Sequence, residues 1–488
     1  MRRTKIICTL GPATDQGEVL KDMMKAGMNV ARFNFSHGSH EEHKARMDMV
    51  KAARAELGLP IGIMLDTKGP EIRTKTYKDG KIEIQEGQEF TLTTRDIEGD
   101  NTIVSISYEG LPADVQVGTR ILIDDGLVAF EVIEIRGGTD IVCRALNGGP
   151  LSNRKSVNVP GIKLNMPYIS DKDRDDVVFG CSQGIDFIAA SFCRTAQDMK
   201  DLKAILKEQN CEDVQIIAKI ENMEGVRNID AILDEVQGIM VARGDLGVEV
   251  PFEELPEIQK CLIKKCVSRG KRVVTATQML ESMAKNPRPT RAEVSDVANA
   301  VYDGTSAIML SGETSVGKYP VQTVQTMSRI AENAEASIHY DRRRITRPEF
   351  MEMELMGDVK TNAIAHAVCN AATDLEAKCI VAFTESGSTA RAVSCRRPGK
   401  LIVGATPSEK TFHRLTMSWG VIPCLVGRPS SGTALYMQAV RGAVEAMNVK
   451  VGDVIIVTAG MPVGRVSYTN TMRVIQVTED FINLAFEE

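Results

Sequence analysis

The run Ala218-Lys219-Ile220-Glu221-Asn222 ends an apolar stretch with a lysine and a glutamate two positions apart. In a strand, that spacing projects both side chains from one face. A lysine held there can place positive charge on a transferring phosphoryl group, where electrostatic stabilisation does most of the catalysis. The plain alternative is an ion pair between Lys219 and Glu221. A second apolar stretch ends in Ala242-Arg243-Gly244-Asp245. Glu221 and Asp245, from neighbouring strands, would offer two hard oxygen donors of the kind that hold Mg2+ together with substrate oxygens; otherwise they are two solvated carboxylates at loop starts. Gly244 and Asp245 open a helix or turn whose backbone N–H groups could receive a carboxylate or phosphate. As a lone R-G-D, the stretch is equally an ordinary turn.

Other strand ends carry polar residues too. In Arg32-Phe33-Asn34-Phe35-Ser36-His37 the alternation puts Arg32, Asn34 and Ser36 on one side. Leu65-Asp66-Thr67-Lys68, Thr275-Ala276-Thr277-Gln278 and Ser311-Gly312-Glu313 end three further runs. Arg32 and Arg73 are candidates for binding anions, although arginine often serves only as a surface partner. Asn34, Ser36, Asp66 and Thr67 together offer neutral and singly charged oxygens, a set suited to a large monovalent cation. Thr384-Glu385-Ser386-Gly387-Ser388-Thr389 follows a strand and opens a helix, so hydroxyls and N–H groups converge on a phosphate-sized space; a capped turn is the simpler reading. Gly312–Lys318 imitates a P-loop, but Tyr319 stands where the Mg2+-binding Ser/Thr belongs. His37, His40 and His43 sit at a helix start without a convergent carboxylate, a poor zinc set.

These residues need a scaffold that gathers strand ends. Apolar runs at Lys5–Thr9, Asn29–Asn34, Ile61–Asp66, Phe187–Ala190, Gln215–Ile220, Gly238–Val241, Arg272–Ala276 and Ala307–Leu310 alternate with helical patterns. That is the count of a closed (β/α)8 TIM barrel, whose active site lies at the carboxyl ends of its strands. One connection breaks the rhythm. Between Asp66 and Asp171 the chain has short β-rich runs separated by Gly, Asp and Pro turns, which predicts an all-β domain inserted after strand three. Lys68-Gly69-Pro70 and Pro160-Gly161 read as its hinges, and a lid over the barrel mouth is the natural role. Ser337–Gly357 reads as a charged linker, and alternation resumes from Val359 as an open α/β sheet. The expected division is barrel 1–69, lid 70–167, barrel 168–340 and C-terminal α/β domain 355–480.

Composition narrows the function classes. The net charge of −6 over 488 residues argues against a general nucleic-acid binder. Eleven cysteines without a C-x-x-C predict reduced structural thiols and a cytoplasmic location. No secretory signal follows the basic start, and no run nears the roughly 18 apolar residues of a membrane span.

Met28–Gly38 (MNVARFNFSHG), Leu65–Thr74 (LDTKGPEIRT), Ile217–Gly225 (IAKIENMEG), Ile239–Val250 (IMVARGDLGVEV), Val274–Thr290 (VTATQMLESMAKNPRPT) and Asp296–Gly312 together resemble the signature stretches of the pyruvate kinase family. The resemblance runs from about Lys5 to Val477. It implies transfer of the phosphoryl group of phosphoenolpyruvate to ADP, with Mg2+ and K+ as cofactors. It implies Arg32 on the phosphate, Lys219 on the transferring phosphoryl, Glu221 and Asp245 on Mg2+, and Gly244, Asp245 and Thr277 around the substrate carboxylate. Arg73 and Lys155 would meet the nucleotide phosphates, and a second Mg2+ would arrive with ADP. Asn34, Ser36, Asp66 and Thr67 would bind K+, and Glu71, where some relatives have a lysine, would make that ion necessary; the plainer alternative is that Glu71 only pairs with Lys68 or Arg73. Protonation of the enolate would involve Thr277 or a water network near Ser311 and Glu313. Thr384, Ser386, Gly387, Ser388 and Thr389 match a stretch that binds a sugar-phosphate effector in related enzymes, AMP being a further candidate. A homotetramer is the expected assembly. Compared with the family pattern, little precedes strand one, and only a short acidic tail follows Val477. A barrel mutase or aldolase would have no use for Arg73, Lys155 or a lid. A silent binding protein would be expected to lack Lys219, Glu221 or Asp245.

Overall fold

A computed structural model describes residues 1–340, 358–463 and 468–487. Eight of its strands are nearly uninterrupted apolar runs: β1 (Lys5–Thr9), β2 (Val30–Asn34) and β3 (Gly62–Asp66) before the insertion, β12 (Phe187–Ala190), β13 (Gln215–Ile220), β14 (Gly238–Ala242), β15 (Arg272–Ala276) and β16 (Ala307–Leu310) after it. Such runs suit strands buried on both faces. They close into a parallel barrel in the order β1-β16-β15-β14-β13-β12-β3-β2. Inside it pack Ile7, Val30, Met64, Phe187, Met240 and Val274. The opposite faces bury Ile6, Ile63, Ile188, Ile216 and Val273 against the surrounding helices. Helices His40–Leu57 and Arg291–Asp303 start on capping boxes, Ser39 with Glu42 and Thr290 with Glu293.

β3 and β12 are direct neighbours, with Met64 opposite Phe187, although the whole insertion separates them in sequence. The insertion holds β4 (Lys81–Ile84), β5 (Glu89–Thr93), β6 (Ile103–Ser105), β7 (Arg120–Ile123), β8 (Val128–Arg136), β9 (Asp140–Ala145), β10 (Gly149–Ser152) and β11 (Val157–Asn158). Six of them form the sheet β11-β7-β8-β9-β5-β6, and β10 pairs with β4. This part has its own core, in which the Phe90 and Phe130 rings lie 5.5 Å apart. Strands β6, β10 and β11 are short, and β10 contains Pro150, so no alternation in the sequence marks them.

The charged stretch 341–357 lies outside the described residues, apart from the linker's first four positions. Beyond it, β17 (Cys379–Phe383), β18 (Ile402–Thr406), β19 (Val421–Leu425), β20 (Val454–Ala459) and β21 (Thr471–Gln476) make an open sheet ordered β19-β18-β17-β20-β21. The last pairing alone is antiparallel. Buried polar contacts tie this sheet to the barrel. Lys5 Nζ donates to the Val421 carbonyl at 2.6 Å, and Arg397 donates to Gly304 O and Ser306 Oγ at 2.9 Å each. No described helix is long and apolar enough to cross a membrane.

Candidate active site

The carboxyl ends of β2, β3, β12 and β13 converge on one buried carboxylate. Arg32 and Asp66 lie on adjacent strands, and Arg32 Nε donates to Asp66 Oδ2 at 2.6 Å. Lys219 Nζ donates to Asp66 Oδ1 at 3.1 Å and to Ser191 Oγ at 2.7 Å, and it pairs with Glu221 Oε1 at 3.0 Å. Arg32 Nη1 donates to Thr9 Oγ1 at 2.8 Å. All four charged groups are buried. Burial pushes the Asp66 carboxyl up, but Arg32 and Lys219 outweigh it and hold the group below the ordinary carboxylate range. Burial alone would lower Lys219; Asp66 and Glu221 reverse the sign and hold the ammonium charged. The pattern requires two cations fixed at the barrel mouth before any substrate arrives.

Glu221 has the opposite balance. Burial, with Asp245 facing it, pushes its carboxyl up to about 7 despite the neighbouring lysine. Its Oε2 accepts from the Phe192 N–H at 2.5 Å, and Phe192 holds a left-handed φ of 52°. A carboxylate pushed up by burial and by a second carboxylate fits a hard divalent cation, because such an ion removes the repulsion. No three His, Cys, Asp or Glu side chains form a preformed metal cage among the described residues. A two-carboxylate seat leaves coordination positions for substrate oxygens.

Thr277 follows β15 with φ 71°, a conformation that β-branched residues seldom adopt. It is held by neighbours: the Gly244 N–H donates to its Oγ1 at 2.8 Å, and Arg243 Nη2 donates to its carbonyl at 2.6 Å. Arg243 is itself anchored on Asp296 at 2.7 Å. Helix Arg243–Glu249 begins here, so Gly244, Asp245 and Thr277 stand together. Strain retained at a strand end marks a functional position.

Asn34 sits opposite Asp66 in the β2–β3 register, and its Oδ1 accepts from the Ser36 N–H at 3.2 Å. Thr67 is engaged by Ser191, whose N–H reaches Thr67 Oγ1 at 3.1 Å and whose Oγ lies 2.6 Å from Thr67 O. The oxygen donors of Asn34, Ser36, Asp66 and Thr67 suit a monovalent ion chemically. Glu71 does not stand as an unbalanced charge: Arg73 grips it with Nη2 at 2.7 Å and Nε at 2.8 Å. The expectation that Glu71 makes K+ necessary therefore meets a glutamate already paired with Arg73.

Arg73 and Lys155 belong to the inserted segment, near a cleft lined by Glu71, Ser156, Asn158, Asn222, Asp245 and Glu249. Arg73 bridges to Ser156, and Lys155 pairs with Asp124 at 2.9 Å. Asn158 reaches across to Glu249 at 3.0 Å. The hinge Gly69 has φ 72°, and a Cβ there would meet the Ser191 backbone oxygen at 2.9 Å, so glycine lets the hinge lie against the site.

Some polar residues have plainer roles. Glu313 is fully buried and accepts from the backbone N–H groups of Ser311 and Leu280, at 2.7 and 3.1 Å. His40 stacks on Phe179 and binds Asp176, while His43 stacks on Phe35. Thr9 and Ser191 end barrel strands one and four. They belong to the cluster yet escaped the reading, which took strand ends two, three and five to eight; the same rule would have found them.

In the C-terminal part, Gly387 takes φ 82° between β17 and the helix Ser388–Ser394. Its N–H donates to Thr384 Oγ1 at 2.9 Å, and Ser386 and Ser388 hydroxyls meet at 3.1 Å. Thr389 Oγ1 is taken by Thr469 at 2.8 Å. Glu385 lies 3.4 Å from Arg428.

Comparison with known proteins agrees with this geometry. Residues 1–324 match the family model "Pyruvate kinase, barrel domain", and residues 362–475 match "Pyruvate kinase, alpha/beta domain". A pyruvate kinase of Staphylococcus epidermidis is 50% identical over 475 residues, covering 97% of this chain and 80% of that protein. One of Bacillus licheniformis is 49% identical with the same coverage. A crystal structure of a pyruvate kinase from Cryptosporidium parvum superimposes with a TM-score of 0.91 at 41% identity, covering 97% of this chain and 96% of that one.

Proposed function

This chain belongs to the pyruvate kinase family, and we propose that it moves the phosphoryl group of phosphoenolpyruvate to ADP through Lys219, Arg32 and Thr277. The observation that supports this most directly is the sharing of Asp66 by Arg32 and Lys219, which aims two cations at one phosphoryl-sized space. Arg32 binds the phosphate of phosphoenolpyruvate. Gly244, Asp245 and Thr277 receive its carboxylate. Arg73 and Lys155 bring the nucleotide phosphates from the lid side. An oxygen of the ADP β-phosphate attacks phosphorus in line, and the bond from phosphorus to the enol oxygen breaks, leaving its electron pair on that oxygen. Lys219 carries positive charge against the phosphoryl oxygens in that transition state. The enolate carbon then takes a proton, and Thr277 is the residue nearest in role. Glu313, bound to two backbone N–H groups, serves better as a brace for Ser311 and Leu280 than as the donor.

Glu221 and Asp245 would hold Mg2+, which when bound supplies charge neutralisation and orientation for the substrate oxygens. Asn34, Ser36, Asp66 and Thr67 would hold K+. Thr384, Ser386, Gly387, Ser388 and Thr389 form a seat for a sugar-phosphate or nucleotide effector. A cytoplasmic homotetramer whose lid spans 70–167 completes this reading by resemblance.

The test is a coupled assay of phosphoenolpyruvate plus ADP with Mg2+ and K+. Pyruvate and ATP should appear in equal amounts, and Lys219→Met should abolish both. Pyruvate without ATP, or neither product, would point to another barrel chemistry or to a silent binding protein.

A further inference from the structure

The barrel grips the returning chain of the inserted part, residues 157–166, at two points. Each grip comes from an element that carries one carboxylate of the candidate metal seat. At the start, Asn158 Nδ2 donates to Glu249 Oε1 at 3.0 Å, on the helix Arg243–Glu249 that also presents Asp245. At the end, Arg194 Nη1 donates to the Leu164 carbonyl at 3.1 Å and Nη2 to the Met166 carbonyl at 3.0 Å. Two nitrogens on two carbonyls use the fixed fork of a guanidinium, which the point charge of a lysine does not reproduce.

The gripped segment belongs to the inserted part, because Ile162, Leu164 and Met166 pack against that part's own core. Asn165, between the two gripped carbonyls, is held from the same side. Its N–H and Nδ2 donate to the two oxygens of Asp114 at 2.9 and 2.7 Å, and the Tyr108 hydroxyl donates to Asp114 at 2.7 Å. Arg194 is set by its barrel surroundings. Its N–H donates to Asp198 Oδ2 at 2.8 Å, the same oxygen lies 3.6 Å from its Nε, and the Tyr168 ring lies 6.0 Å from its guanidinium carbon. Two residues earlier, Phe192 takes φ 52° and donates its N–H to Glu221 Oε2 at 2.5 Å. One residue before that, Ser191 accepts from Lys219 Nζ at 2.7 Å. A left-handed phenylalanine persists only where its neighbours fix it, and here Ser191 is held by the catalytic lysine and Arg194 by the returning segment.

We propose that Arg194 is a positioning residue that couples the lid to the metal seat. By fixing the returning segment it holds the Phe192 N–H on Glu221, and a divalent cation on Glu221 in turn tightens the barrel's hold on that segment. The proposal rests on the reading of Glu221 and Asp245 as the seat and of the insertion as a lid. Hydrogen bonds to a ligating carboxylate set its orientation, and losing one weakens metal binding by about 10–100-fold. The coupling is reciprocal: an affinity the lid contributes to the metal is an ordering the metal contributes to the lid. The Arg194 guanidinium is engaged by the returning segment, so it acts on the seat through the backbone of Phe192.

The test uses the full chain without substrates and Mn2+ as the probe, its binding read from the electron paramagnetic resonance of the free ion. Glu221→Gln establishes the seat by losing most of the wild-type affinity. Arg194→Lys keeps a positive charge beside Asp198 but cannot bridge both carbonyls, and its Mn2+ affinity should fall about tenfold. Hydrogen exchange gives a second readout. In the wild type, Mn2+ alone should slow amide exchange across residues 162–169 at least about fivefold, and the slowing should disappear in Arg194→Lys and in Glu221→Gln. Wild-type Mn2+ affinity in Arg194→Lys overturns the proposal and leaves the metal reading standing. Exchange in the wild type that ignores Mn2+ does the same, and it decides the matter even where Arg194→Lys does not fold. Wild-type affinity in Glu221→Gln overturns both.

Discussion

Arg32 Nε and Lys219 Nζ bind opposite oxygens of Asp66, at 2.6 and 3.1 Å, so one buried carboxylate sets the spacing of both cations. The relationship makes Asp66 a positioning residue for charges that would otherwise repel. Asp66→Asn keeps the shape but turns an acceptor for one cation into a donor. Turnover is expected to fall by about two orders of magnitude, equivalent to about 2.7 kcal/mol in the barrier. Stability in urea should fall by about 3–5 kcal/mol, the scale for breaking a buried ion network. A variant that loses stability but keeps its kcat would leave Asp66 with a structural role alone.

Lys219 is expected to act on the transition state more than on bound substrate. Lys219→Met should lose about three or more orders of magnitude in kcat with a modest change in the KM for phosphoenolpyruvate. Retention of half the turnover would remove Lys219 from the chemistry.

Thr277 offers a separate readout. Thr277→Val keeps the branched shape but loses the oxygen that accepts from Gly244. Because enolate protonation run backwards is loss of a proton from the pyruvate methyl group, hydrogen exchange of pyruvate should slow along with kcat, by about 10–100-fold. Exchange at the wild-type rate would place the proton donor elsewhere.

The barrel was legible because its strands are continuous apolar runs with polar ends, and a parallel closed sheet demands both. Lys219, Glu221, Asp66 and Arg32 could be read as a set from those ends. Their sharing of one carboxylate could not, since side-chain reach across the barrel mouth is a tertiary fact. Ser191 stands at the one middle strand end the reading passed over, and its value lies in touching Lys219, Asp66 and Thr67 together. Glu71 stands near both Lys68 and Arg73, so the sequence allows either pairing, and the backbone decides for Arg73.

His413 gives a pH prediction. It is buried at the contact between the C-terminal part and β3, where its carbonyl lies against Gly62. Burial, with Arg54 nearby, lowers its pKa to about 4. Glu409, 3.8 Å away and largely exposed, does not offset this. The unfolded chain, with an ordinary histidine near 6.5, therefore binds the proton first. The stabilising contribution is complete above about pH 6.5 and is lost as pH falls toward 4. Between pH 7 and 5 the loss should be at most about 2 kcal/mol. His413→Gln should show a correspondingly flatter stability profile in denaturant titrations over that window. Parallel profiles would mean that the histidine titrates alike in the folded and unfolded chain.

The last prediction concerns the monovalent cation. The site must gather a trianionic substrate and ADP around Asp66, Glu221 and Asp245, with Arg32 and Lys219 as its fixed cations. Unit charges about 4 Å apart at an effective dielectric near 20 interact by roughly 4 kcal/mol, so one missing cation is costly. Asn34, Ser36, Asp66 and Thr67 would supply oxygens for K+. Arg73 balances Glu71 and contributes no surplus charge to the site while it does so. Activity with Mg2+ should therefore fall at least about tenfold when tetramethylammonium replaces K+ at equal concentration, about 1.4 kcal/mol in the activation barrier. Glu71→Lys releases Arg73 and adds an ammonium, so its dependence on K+ should be much weaker. Glu71→Gln releases Arg73 without adding a cation and should fall between the two. Full wild-type activity without any small monovalent cation would rule out the K+ requirement. A Glu71→Lys variant as K+-dependent as wild type would instead confine that requirement to the Asp66 cluster.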